Sequence, residues 1–193
     1  MALRLSAIIC ITSFLLGILF THWIADSLTL WKTPITDANL WTAASYYNII
    51  VKGPSYSGYF VSGIVVLGAT CILWSLRDGE AGNIMFDGGS IFLFGAAAVS
   101  YAYSAFPSLV ANFTTLPPRP ASDKFPAPLR QEALDIASSH LICSVALTGV
   151  LALQAGRWWA ERADEDDAVT SEPEDEKLAP TTSRRHSKSG TSK

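Results

Sequence analysis

Charge is what most of this sequence lacks. Charged residues make up only 16% of the 193, and they avoid four long apolar runs at about residues 5–24, 58–76, 89–110 and 136–159. The first three runs hold no Asp, Glu, Lys or Arg, and the fourth holds only Arg157, near its end. A soluble helical bundle would need a charged outer face on each helix, so that class is excluded. Runs of about 20 apolar residues, at roughly 1.5 Å rise each, cross a hydrocarbon core of about 30 Å. The expected fold is an all-α membrane protein with four transmembrane helices and a disordered polar C-terminal tail. The four-span domain covers residues 1–159, with larger loops at 25–57 and 111–135, and the tail covers 160–193.

Cysteine is scarce as well. Cys10, Cys71 and Cys143 are the three in the chain, each inside an apolar run, with no CxxC pair or Cys/His cluster. No disulfide framework and no metal site is readable from them. The runs contain no nucleophile with a base and an orienting group, which argues against an enzyme. His140 is the ionisable group expected inside a span, and no carboxylate is expected beside it, which argues against an autonomous proton or ion path. No phosphate loop or basic stripe points to nucleic acid. No cofactor is expected.

Small and polar residues at helical spacing are what the runs do contain. His140, Ser144, Leu147, Leu151 and Gln154 follow steps of four, three, four and three, a heptad seam on one side of a helix. Val145, Gly149, Ala152 and Gly156 form a second line roughly opposite. Lipid tails gain nothing from Gly or Gln, so both lines predict contact with other helices. Ser6, Cys10, Ser13 and Gly17 make a similar line in the first run, which is read as a retained span and not a cleaved signal. Gly58, Ser62, Val65 and Ala69 do so in the second, and Gly95, Ala98, Ala102 and Ala105 in the third.

Thr36 in the first loop has the position of a helix N-cap, with Ile35 and Leu40 placed as a hydrophobic staple. Leu40, Ala44, Tyr47 and Val51 continue one face until Gly53-Pro54. This predicts a short amphipathic helix at the membrane surface, with Trp31, Trp41, Tyr46 and Tyr47 as interfacial aromatics. Pro117, Pro118, Pro120, Pro126 and Pro128 exclude regular structure from much of the second loop, with a helical approach from Leu129. Asn112-Phe113-Thr114 is a glycosylation sequon. The tail is acidic, then basic and Ser-rich, with no apolar period, which predicts disorder and availability to partners. Arg157 and Arg162 tight against the last span favour cytosolic termini.

Several stretches, in order along the chain, resemble the fungal super-high-histidine-resistant family. These are packaging chaperones for amino-acid permeases in the endoplasmic reticulum. The stretches are Phe20 followed by Asp26-x-x-x-Leu30-Trp31, then Tyr46-Tyr47 with Gly53-Pro54. The strongest is Leu147-Thr148-Gly149-Val150-Leu151-x-Leu153-Gln154-Ala155-Gly156-Arg157-Trp158-Trp159. The similarity covers about residues 1–160. It implies a non-enzymatic, multi-pass chaperone of the endoplasmic-reticulum membrane. Such a protein holds nascent permeases and passes them to coat-protein vesicles, with the cytosolic tail 160–193 near the coat.

His140, Ser144 and Gln154, or the line through Gly149, Ala152 and Gly156, are the expected client contacts. Trp31, Trp41 and Tyr47 are the expected loop contacts. Two other readings stay open. One is a four-span scaffold or junction-type structural protein, although residues 25–57 lack the Cys pair of a claudin-like loop. The other is a haem-binding redox subunit using His22 and His140.

Overall fold

The computed structural model describes residues 2–77, 81–120, 122 and 124–170. Among them the chain forms α1 (Ala2–Leu30), α2 (Asp37–Val51), α3 (Ser55–Arg77), α4 (Ala81–Ser100), a π-turn (Tyr101–Ala105), α5 (Phe106–Phe113) and α6 (Ala127–Thr170). Four helical stretches are long and apolar enough to cross a membrane: Leu3–Leu30, Ser55–Arg77, Ile84–Phe113 and Ala127–Ala163. Each contains one of the four runs read from the sequence. The contacts divide the chain into Met1–Trp158 and Trp159–Lys193. In the second unit, residues 159–170 are helical, where disorder is expected from 160. The remainder of the tail, with its basic end, lies outside the described residues.

The helices overrun the apolar runs, and this brings charge into the spans. With 29 residues, α1 is about 43 Å long against a core of about 30 Å. Its last turn carries Asp26, 3% exposed, into the protein. The third span begins before Asp87, which is fully buried. It then passes through the π-turn immediately ahead of Pro107. Proline has no N–H to return to the carbonyl four residues back. The Phe106 N–H reaches instead to Tyr101 O, and the extra residue of that turn absorbs the break.

The amphipathic helix of the first loop forms where expected but sits differently. Thr36 caps α2, its side chain accepting from the Asn39 N–H at 3.3 Å. At the other end, Gly53 N–H bonds Ile50 O at 3.0 Å. A Cβ on Gly53 would stand 2.9 Å from that oxygen, so only glycine fits without a shift. α2 packs on the chain itself: Leu40, Trp41, Ala43, Ala44 and Tyr47 are buried against Leu109, Phe113, Phe125 and Ile136. Trp41 and Tyr47 are therefore core residues and not interfacial anchors, whereas Trp31 is 60% exposed. Asn48 Nδ2 also donates to Phe113 O and Thr114 O, at 2.5 and 3.1 Å, tying α2 to the end of α5. Each large side chain buried here contributes about 1.5–3 kcal/mol.

Inside the spans the second core gathers Ile8, Leu15, Leu19, Ile72, Phe94, Ala97, Cys143, Leu147 and Val150. Lipid removes the hydrophobic drive for helix association, so close packing has to supply it. Gly68 shows how close: a Cβ there would lie 2.8 Å from Phe94 and 2.9 Å from Ile11.

Candidate functional site

Two buried polar clusters stand out in the four-span unit. The first joins α1, α2 and α6 around Asp26. Tyr47 Oη donates to Asp26 Oδ1 at 2.6 Å, and His140 Nδ1 lies 3.0 and 3.2 Å from the two carboxylate oxygens. His22 stacks on His140, ring centroids 4.7 Å apart and planes 18° from parallel, and Tyr101 stacks on His140 at 6.0 Å. Tyr46 Oη donates to Thr21 O at 2.8 Å and is 3.1 Å from His22 Nδ1. Burial, reinforced by the Asp26 charge, pushes both α2 hydroxyls above the ordinary tyrosine value, so they remain neutral donors. The cluster thus fastens α2 to two spans by charge-assisted bonds.

The second cluster joins α3, α4 and α6. Arg157 Nη1 donates to Asp87 Oδ2 and to Ser75 Oγ, each at 2.6 Å. Gln154 Nε2 donates to Asp87 Oδ1 at 3.1 Å and to Ser90 Oγ at 2.8 Å. A lone charge here would be very costly, so the pair and its hydrogen bonds belong together.

These clusters correct the sequence reading in two respects. His140 does have a carboxylate beside it, Asp26, which the apolar window cut off at Ile24. Asp87, left out of the third apolar run, and Arg157, read as a flanking charge, are also intramembrane partners. The helical continuation through Leu28 and Leu30, and through Ile84 to Phe86, was the signal available. The haem reading of His22 and His140 does not fit. Imidazole lone pairs lie in the ring plane, and two rings stacked face to face do not aim at one iron. His140 Nδ1 is moreover held by Asp26.

The seam on α6 faces inward: His140, Leu147 and Gln154 are buried, with Ser144 and Leu151 half-buried. The second line splits. Gly149 and Gly156 meet Leu93 and Phe86 of α4, where an added Cβ would stand at 2.7 and 3.1 Å. Val145 and Ala152 are exposed, and with Leu141, Thr148 and Ala155 they form a stripe at steps of four, three, four and three that no helix covers among the described residues. Asn112, the sequon residue, is half-buried in α5. Its Nδ2 donates to Ser108 O at 3.2 Å and Glu132 Oε2 at 3.0 Å, and a glycan on that nitrogen would displace both bonds. Beside it, between the π-turn region and α6, runs an open polar groove of about 460 Å³ flanked by Ser104, Ser108, Glu132 and Asp135.

Compared with known families, the chain matches the SHR3 chaperone family, described as ER membrane protein SH3, over residues 1–193. The chain belongs to that family. As an SHR3-family protein it is a multi-pass membrane protein of the endoplasmic reticulum and a chaperone, whose clients are membrane proteins. Neither a curated protein nor a solved structure matches the chain. The buried clusters tie the helices together, and small-residue lines stand exposed on α6, from Leu141 to Ala155, and on α1, at Ser6, Cys10, Ser13 and Gly17.

Proposed function

We propose that the protein binds amino-acid permeases during their folding in the endoplasmic reticulum and releases them into coat-protein vesicles. The observation that carries this reading is the exposed stripe Leu141, Val145, Thr148, Ala152 and Ala155. Small and hydroxyl-bearing residues facing lipid give nothing to lipid but allow another helix to approach closely. Family membership supports a chaperone with membrane clients. The ordered resemblance from Phe20 to Trp159 supports permeases as those clients.

Ser144 borders the stripe and Ala152 belongs to it, and both contact the client helix, whereas Gly149 and Gly156 are taken up by Leu93 and Phe86 of α4. His140 and Gln154 act from behind it, and of the loop aromatics Trp31 is the one left open to a client. Contacts of this kind are weak, with interhelical hydrogen bonds averaging about 0.6 kcal/mol, and weak contacts suit release. Four crossings return the chain to its starting side, and Arg162, just past the last apolar run, supports cytosolic termini, with the tail 160–193 available to the coat.

The test is a pair of leucine substitutions on the stripe, Ala152→Leu and Ala155→Leu. They fill the approach surface without touching either polar cluster. The expected result is a several-fold drop in permease recovered with the protein. Unchanged recovery would count against the stripe as the contact.

A further inference from the structure

At the level of Asp26 a narrow cleft opens between α1 and α6. It holds a cavity of about 20 Å³, bordered by Trp23 and Asp26 on one side and by His140, Leu141 and Ser144 on the other. That is room for one water-sized group. His140 is 2% exposed, and its Nε2 has no hydrogen-bond partner among the described residues. A buried imidazole nitrogen left without a partner is destabilising, and the fold retains it.

The surrounding network sets the chemistry of that nitrogen. Asp26 accepts from Tyr47 and, on its other side, faces His140 Nδ1 at 3.0 Å. A carboxylate accepting both bonds puts the imidazole proton on Nδ1, a tautomer assigned from the network. In the neutral ring Nε2 is then a lone-pair acceptor and needs a donor. Asp26 and Tyr47 act as positioning residues for it.

We propose that this cleft receives one hydrogen-bond donor, a hydroxyl or amide side chain on a membrane helix of a client, which bonds His140 Nε2. The inference rests on the client-helix reading above and names the chemistry that the site selects. Continuity identifies the occupant. Leu141, at one lip, is also the first residue of the uncovered stripe, so a helix laid along the stripe arrives at the cleft. The lips, Trp23 and Leu141, are apolar and exposed at 43% and 37%, suited to a helix flank. The cavity admits the tip of a side chain but not a lipid headgroup. A polar group on an unassembled helix, still lacking its own partner, would be sheltered there until its own bundle closes.

The experiment uses the full-length protein in its native membrane. A photo-activatable residue is placed at Leu141, and another at Tyr59 on α3, which is 81% exposed and away from the cleft. The probe is an amino-acid permease made in the same cells, together with single Thr→Val, Asn→Leu and Gln→Leu replacements along its spans. The expected result is cross-linking from Leu141 that falls roughly threefold for one such replacement, the factor carried by one interhelical hydrogen bond. Ser144→Leu, which fills the cleft, should erase that difference. The permease-side replacements leave this protein intact, so they decide the matter even if Ser144→Leu fails to fold.

Equal cross-linking for every permease variant overturns the proposal. So does an adduct at Leu141 that is lipid only, or a replacement effect that survives Ser144→Leu in a folded protein, since either leaves the cavity to lipid or resident water. If permeases still depend on the protein while Leu141 is indifferent to their polar residues, the cleft fails and the chaperone reading stands. If permeases travel normally without the protein, both fail.

Discussion

Removing either partner of the Asp87–Arg157 pair should cost far more than removing both. Asp87 is fully buried and accepts from Arg157 and Gln154, and Arg157 is 7% exposed. Asp87→Leu takes from Arg157 the buried carboxylate it bonds at 2.6 Å and takes one acceptor from Gln154. A buried charge stripped of its partner destabilises by about 3–5 kcal/mol. Arg157→Met leaves the carboxylate in the same position and should cost a similar amount. The double variant carries no net buried charge, while Gln154 and Ser90, 2.8 Å apart, still bond each other. It should therefore be more stable than either single variant, with a coupling of at least about 2 kcal/mol. Unfolding of the purified protein in mixed micelles, titrated with a denaturing detergent, measures all four corners of the cycle. Single substitutions costing less than about 1 kcal/mol, or a double equal to the sum of the singles, would refute the reasoning.

Five further outcomes are expected. Tyr47→Phe removes a charge-assisted bond to Asp26 and should cost about 1.5–3 kcal/mol, loosening α2, which hydrogen exchange across residues 37–51 would register. Gly68→Ala forces Phe94 or Ile11 to move and should destabilise by about 1–3 kcal/mol. Gly95→Ala, with nothing within 4 Å of the new methyl, should be neutral or stabilising in the same unfolding assay. Burial raises the Tyr46 and Tyr47 pKa values above the ordinary 10.0, so the folded protein holds those protons more tightly than the unfolded chain. Their contribution to stability is full below pH 10 and declines as the pH rises above it, which unfolding midpoints across that range would detect. Finally, Asn112 should carry no glycan, because its amide nitrogen is committed to Ser108 O of α5 and Glu132 Oε2 of α6. Glycosidase treatment should leave the mobility of the protein unchanged.

Hydrophobic runs made the spans legible, because nothing but lipid tolerates so many uncharged residues in series. The N-cap at Thr36 and the stop at Gly53 were equally readable, since each satisfies local backbone groups with local side chains. The polar clusters were not, for a physical reason. A window that stops at the first charge assumes that charge belongs in water. Asp26, Asp87 and Arg157 lie about one or two turns inside the spanning stretches because each has a partner on another element, and partnership across 70 or 114 residues leaves no local trace. The face of α2 was periodic in the sequence, but what it lies against depends on Phe113, Phe125 and Ile136, which come much later in the chain. The seam of α6 was visible as a period. That half of the second line would also be used internally was decided by Leu93 and Phe86, which fill the notches at Gly149 and Gly156.

The most direct test of the central claim is the location of fluorescently tagged amino-acid permeases in cells of the native host lacking this protein. The account predicts that they accumulate in the endoplasmic reticulum while unrelated plasma-membrane proteins travel normally. Delivery of every permease to the cell surface would contradict it.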